Sequence, residues 1–186
     1  MISLIRFNNF LSELQEFVNE GISDDLFVFQ DGMWIYNGNT TDEIPVGLIL
    51  EGKRIDKIVI ASTESNLVKK IKDLSGVILA LKMPDADTEM ESVDNYWEMN
   101  HQLLFLLEKV NDGQLTPDSE TFHYAKIQYI MKLVKEYMLS CGLNGWSLSE
   151  SNDETLAKPF HAEWEYNQFG GFNGMSISFD LKDFSL

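Results

Sequence analysis

The densest group of side chains that could bind a cation lies between residues 84 and 95. Asp85, Asp87 and Glu89 alternate there like the first ligands of a calcium-binding loop. An EF-hand also needs a glycine at its sixth position and a bidentate glutamate at its twelfth, and this chain has neither residue at those positions. Because the carboxylates of this stretch have almost no apolar neighbours, the sequence predicts a solvated acidic loop inserted at 84–95, without a metal ion.

The single cysteine and the three histidines are the other candidates for catalysis. Cys141 is predicted at the C-terminal end of a helix, where the negative end of the helix dipole disfavours the thiolate that nucleophilic chemistry needs. His101, His123 and His161 show neither the HExxH spacing nor the CxxC companion of a zinc site. These residues therefore predict no catalytic group, no metal and no cofactor.

A glycine-rich stretch near the C-terminus invites comparison with phosphate-binding loops. Such a loop opens a helix, whereas a strand pattern follows Gly170, Gly171 and Gly174. The glycines are therefore predicted to reverse the chain between two strands. Phe169 and Phe172 in this turn are predicted either to pack on the sheet edge or to form an exposed tip that contacts other proteins. The second alternative makes these two phenylalanines the candidate interface.

The turn separates two segments in which apolar and polar residues alternate. Residues 160–167 and 175–182 both show the period of two that is typical of a half-buried strand. Trp164 and Phe179 lie on the apolar faces. The segments are predicted to pair as an antiparallel C-terminal β-hairpin with both rings in the core.

The rest of the chain shows helical and strand patterns that predict an α+β fold. One helix is predicted over 7–18, a second behind the N-cap Thr63, and a long third from Thr116 and Pro117 to Gly142. Further strands are predicted at 26–29, 33–36, 46–50, 57–61 and 77–81.

Residues 97–110 fit both a strand and a helix, and the strand is favoured. The elements together predict a single α+β domain over residues 1–186. Its sheet is mainly antiparallel or mixed, and about three helices pack on it.

The charge of the chain indicates which classes of partner are disfavoured. Fourteen basic and thirty acidic residues give a formal charge of -16, which disfavours tight binding to nucleic acid and to anionic membranes. No apolar run approaches the roughly 20 residues that cross a bilayer. The first ten residues lack the uninterrupted apolar stretch of a signal peptide. We therefore expect a cytoplasmic protein whose partners are other proteins.

Several segments resemble small tail-completion or tail-terminator proteins of bacteriophages and prophages. These segments are IPVGLIL at 44–50, HQLLFLLEKV with the following NDG at 101–113, YAKIQYIMKLV at 124–134 and FGGFNGMSISFDL at 169–181. The resemblance implies an α+β subunit that assembles into a ring, commonly a hexamer, docks on tail or neck proteins and catalyses no reaction. A negatively charged lumen would let DNA slide through such a ring.

Two other functional classes remain open at this point. An acidic intracellular inhibitor of the immunity type would be steered to a basic protein partner by the same charge of -16. An enzyme is the third choice, because no constellation of nucleophile, base or metal ligands is visible.

Overall fold

A six-stranded mixed sheet with helices on both faces forms the larger part of the fold. The computed structural model describes residues 4–21, 27–30, 33–36, 43–45, 55–92, 95–110, 117–143, 155–156 and 160–183. The helices in this part of the chain are α1 (Leu4–Gly21), α2 (Glu64–Ile71) and α3 (Pro117–Leu143). The strands are β1 (Phe27–Gln30), β2 (Met33–Tyr36), β3 (Glu43–Pro45), β4 (Lys57–Ala61), β5 (Val77–Ser92), β6 (Asn95–Lys109), β7 (Thr155–Leu156), β8 (His161–Glu165) and β9 (Phe172–Asp183).

The large sheet is a βαβ unit extended by antiparallel strands. Strands β4 and β5 run parallel and are connected through α2. Strand β6 pairs antiparallel with β5 and with β9, which confirms the strand at 97–110. Strands β7 and β8 pair with the other side of β9. The predicted α+β fold with a mixed sheet is therefore confirmed, with β4 at one edge of the sheet and β7 and β8 along the other.

Strands β1, β2 and β3 form a separate antiparallel sheet. Gln30 pairs with Met33, as expected for a hairpin around Asp31 and Gly32, although the two turn residues lie outside the described part of the chain. The predicted strand at 46–50 also lies outside it.

Alternate residues of the central strands supply two apolar layers. Leu104 and Leu106 of β6 pack with α1 and α3, on what we call the α1/α3 face of the sheet. Phe105 and Leu107 pack with α2 on the opposite side, the α2 face. Burial on both faces explains why this segment has a nearly continuous apolar run that fits both a strand and a helix.

Helices α2 and α3 begin where the sequence signals place them, whereas α1 begins three residues before the predicted 7–18. The Thr63 hydroxyl accepts a hydrogen bond from the Asn66 N–H at 3.2 Å, which satisfies one of the first free donors of α2. Helix α3 begins at Pro117, has 27 residues and ends one residue after the predicted Gly142. At about 1.5 Å per residue it is about 40 Å long, enough to cross the sheet.

The C-terminal hairpin is confirmed. Trp164 of β8 lies opposite Met175 of β9 in antiparallel register. Phe179 is buried, whereas Trp164 is half-buried and packs against the edge of the same core. Gly170 and Gly171 have φ values of 75° and 93°, so the turn needs residues without a β-carbon at these positions.

The acidic loop predicted at 84–95 is wrong, because β5 extends to residue 92 and pairs with β6. Pro84 lies at a register shift between Lys82 and Asp85, where a residue without an N–H can be accommodated without ending the strand. Alternate carboxylates are compatible with one solvated face of an antiparallel pair. The Lys82 ammonium also donates to the Asp85 carboxylate at 2.8 Å, and this hydrogen bond lowers the pKa of Asp85.

Candidate interaction surface

The predicted interface residues belong to the core. Phe172 is fully buried and Phe169 is 6% exposed. The Phe169 ring meets Phe105 edge-on at a centroid distance of 5.0 Å. The Val110 N–H donates to the Gly171 carbonyl at 2.9 Å, which holds the turn over the α2 face of the sheet. The exposed tip is therefore wrong, and packing on the sheet is the correct alternative.

His101 of β6 connects β9 with the stretch of β5 that was predicted to be a loop. Its Nδ1 lies 2.7 Å from Asp180 of β9, and its Nε2 lies 3.2 Å from Asp87 of β5. A carboxylate can only accept, so both nitrogens donate when the ring is protonated. The hydrogen bond to Asp180 raises the pKa of His101 above its ordinary value, and the bond to Asp87 adds to this effect, while partial burial opposes it.

Replacing His101 with glutamine should therefore cost most stability at low pH. Because the pKa is raised in the folded state, its contribution is fully present below the unfolded value of about 6.5 and is lost as pH rises through the folded value. The ring is half-exposed, so the contribution should stay below about 1 kcal/mol. Urea unfolding from about pH 5 to pH 9 measures it. The same change at His161, which is exposed on β8, is the control. A His101 effect that grows with pH would contradict this assignment.

A second charged cluster lies between β6 and α3. Glu108 accepts from His123 Nδ1 at 2.9 Å and from Lys126 Nζ at 2.6 Å. The three side chains are between 6% and 19% exposed. Burial by itself raises the pKa of Glu108, but the His123 hydrogen bond and the Lys126 charge offset this effect, so the pKa is below its ordinary value. The carboxylate therefore ties α3 to the end of β6.

The same cluster orients a histidine as a catalytic site does but does not expose it to a substrate. A carboxylate that orients Nδ1 and leaves Nε2 available is an arrangement used by general bases. Nε2 of His123, however, is buried and has no partner among the described residues, so it cannot meet a substrate in solution without rearrangement. In the part of the chain that the structure describes, no group of three or more His, Cys, Asp or Glu side chains could hold a metal ion. Cys141 lies in α3, as predicted.

One edge of the large sheet is aromatic and acidic. Tyr124 of α3 contacts Trp164 at 5.1 Å and Tyr166 at 5.9 Å between ring centroids, and the two latter rings stack at 6.2 Å. Tyr166 is 55% exposed. Glu163 and Glu165 flank Trp164 along β8, and their side chains alternate with its ring. We call β8 with these side chains the acidic edge; residues 160–180 contain three acidic residues and no lysine or arginine.

The opposite edge of the sheet is lysine-rich. Residues 56–73 contain four lysines and three acidic residues, Asp56, Glu64 and Asp73, and Lys72 lies 3.8 Å from Asp73. These exposed lysines are Lys57 of β4, Lys69 and Lys70 of α2, and Lys72 just after it. Lys70 Nζ donates to the Ile60 carbonyl at 2.6 Å. We call β4 with these lysines the basic edge.

Sequence reasoning missed both edges. It recognised β4, α2 and β8 and one acidic stretch but did not compare the charges of the two edges, although a local count gives four lysines in residues 56–73 and none in residues 160–180. The aromatic cluster unites residues 40 positions apart on α3 and β8, and no local pattern signals such a contact.

Comparison with families and curated proteins identifies no relative of the chain. No protein family matches the chain, and no curated protein matches it either. In the described part of the chain, no helix combines the length and apolarity that crossing a membrane requires. The case for function therefore depends on the geometry and charge of the surface.

Proposed function

We propose that the chain is a non-enzymatic assembly subunit that associates with copies of itself into a ring, as the resemblance to phage and prophage tail-completion proteins implies. It would dock on other structural proteins of a tail or neck. Neither a metal nor a cofactor has a part in this role.

The observation that supports this proposal best is the difference between the two edges of the sheet. Strand β4 pairs only with β5 and strand β8 only with β9 among the described strands. A strand edge offers unpaired N–H and C=O groups to another chain. A contact between two unlike edges is heterologous, and its repetition gives a ring when the rotation between neighbouring copies closes and an open filament when it does not.

The charge of the chain is compatible with this role when salt screens the repulsion between subunits. A charge of -16 on each subunit opposes assembly at low ionic strength, because like-charged subunits repel one another. Salt near the physiological range screens that repulsion over about 8 Å. Local attraction between unlike edges acts at shorter distances and is screened less.

The inhibitor of a basic protein is the second candidate, and the surface of the β5–β6 hairpin is the observation that favours it. Asp85 and Asp87 are exposed there, and Asp180 is half-buried beside them on β9. Such a carboxylate surface would steer a basic partner to the hairpin.

Native mass spectrometry at several protein and salt concentrations distinguishes the two functions. The assembly subunit should give one closed oligomer of defined mass whose population rises with protein concentration and with moderate salt. A protein that stays monomeric under all conditions would contradict the assembly proposal. A monomer that binds a basic protein less tightly as salt increases would support the inhibitor instead.

A further inference from the structure

We propose that the contact between subunits joins the basic edge of one copy to the acidic edge of the next, so that β4 and β8 form one continuous sheet across the interface. This inference rests on the proposed ring and names the surfaces that build it. The occupant of each edge is therefore a second copy of this chain.

The charges of the two edges lie on the same face of the sheet. Lys57 is in register with Ile78, which belongs to the apolar layer of the α2 face. Glu163 is in register with Ser176, which neighbours Ile177 of the α1/α3 layer and therefore points to the α2 face. When two copies meet edge to edge with their faces aligned, lysines face glutamates on the α2 face.

The apolar residues of the two edges match on the other face. Ile58 and Ile60 are partly buried and pack against the α1/α3 layer from β4. Trp164 is also partly buried and packs against that layer from β8. Joining the edges would cover the exposed parts of these side chains, which adds a hydrophobic contribution to the backbone hydrogen bonds of strand pairing.

The strand directions permit such a pairing. β4 is parallel to β5, and each step from β5 through β6 and β9 to β8 reverses the direction. β8 therefore runs opposite to β4, so related copies meet as an antiparallel pair. Each of these two strands has five residues, so their lengths also match.

Lys70 has a specific part in this arrangement. In the single chain its ammonium donates to the Ile60 carbonyl of β4 at 2.6 Å, and lysines are common at strand edges that do not pair further. When a second strand adds to this edge, Glu163 of the incoming copy arrives on the α2 face, the side of the sheet on which Lys70 and its helix lie.

Charge reversal on each edge tests the proposal. One variant carries Glu163→Lys and Glu165→Lys, and the other carries Lys57→Glu and Lys70→Glu. Each variant has two edges of like charge, so its association measured by analytical ultracentrifugation should weaken by at least about 100-fold. An equimolar mixture of the two variants should recover association, because edges of opposite charge then alternate around the ring.

A control variant distinguishes the effect of the edge charges on association from the effect of net charge alone. Glu16→Lys with Glu136→Lys makes the same charge change at exposed positions of α1 and α3, and it should not weaken association. Circular dichroism checks that each variant is folded. Glu163→Lys alone, at an exposed position, should weaken association by about 10-fold and replaces the double variant if that one unfolds.

The possible failures are distinct. A ring that forms equally well in all variants would overturn the edge pairing and leave the assembly function standing. A wild-type chain that remains monomeric at every concentration would overturn both. Weakening without recovery in the mixture would show that the edges do not meet each other.

Discussion

Replacing Phe172 with alanine should lower the free energy of unfolding by about 3 to 5 kcal/mol. Its ring is fully buried in the apolar layer between α2 and the sheet, so the substitution removes buried apolar surface and leaves a cavity. This loss is a large part of the 5 to 15 kcal/mol that typically separates folded from unfolded domains. Chemical denaturation followed by circular dichroism measures it.

The matched control for this substitution is Phe17→Ala. Phe17 lies on α1 and is 40% exposed, so the same chemical change should cost clearly less than at Phe172. Equal effects at the two positions would contradict the burial of the turn. If Phe172→Ala leaves the free energy of unfolding unchanged, the ring is not in the core and the prediction of an exposed tip is correct.

Replacing Glu108 with glutamine should cost about 3 kcal/mol, because it leaves the Lys126 ammonium buried without its counter-charge. The glutamine amide keeps nearly the same shape, so the effect reports charge and hydrogen bonding rather than packing. The pKa of Glu108 is lowered in the folded state. Its contribution is therefore present above the unfolded value of about 4.5 and is lost as pH falls through the folded value.

An exposed ion pair provides the control for Glu108. Glu136 lies 3.6 Å from Lys132 one turn away on α3, and both side chains are at least half exposed. Glu136→Gln should change stability by less than about 0.5 kcal/mol. If Glu108→Gln has an equally small effect at neutral pH, the cluster does not tie α3 to the sheet.

Local patterns predicted most of the elements, because their signals lie within a few residues. Thr63 and Pro117 mark helix starts through hydrogen-bonding chemistry that depends on adjacent backbone groups. The alternation of residues 160–167 and 175–182 similarly predicted the C-terminal hairpin, which the pairing of β8 with β9 confirms. Burial on one face imposes that period on the sequence.

The prediction of a loop for the acidic stretch failed for a physical reason. Asp85 and Asp87 suggest a solvated loop when their neighbours along the chain are considered alone. Their stability in β5 comes from β6, which is itself held by β9, and from His101 and Lys82 across and along the strands. Such non-local pairing cannot be read from a short window of sequence.

The interface prediction failed in a related way. A glycine-rich turn with aromatic residues is compatible with an exposed tip, and only the position of α2 decides where the rings go. The Phe172 ring lies in one apolar layer with Leu67 and Ile71 of α2, residues about 100 positions earlier in the chain. Next to this turn, Tyr166 remains 55% exposed at the acidic edge.

Disulfide trapping between two chains tests the central claim most directly. One chain carries Val59→Cys at the centre of β4, the other carries Glu163→Cys at the centre of β8, and Cys141→Ser removes the native thiol from both. Antiparallel neighbours place the α-carbons about 4.5 to 5.5 Å apart, within the range that a disulfide spans. With one chain isotopically labelled, mass spectrometry under mild oxidation should show the mixed 59–163 dimer in clear excess over both symmetric dimers. A statistical mixture of the three dimers, or no cross-link at all, would contradict the pairing of β4 with β8.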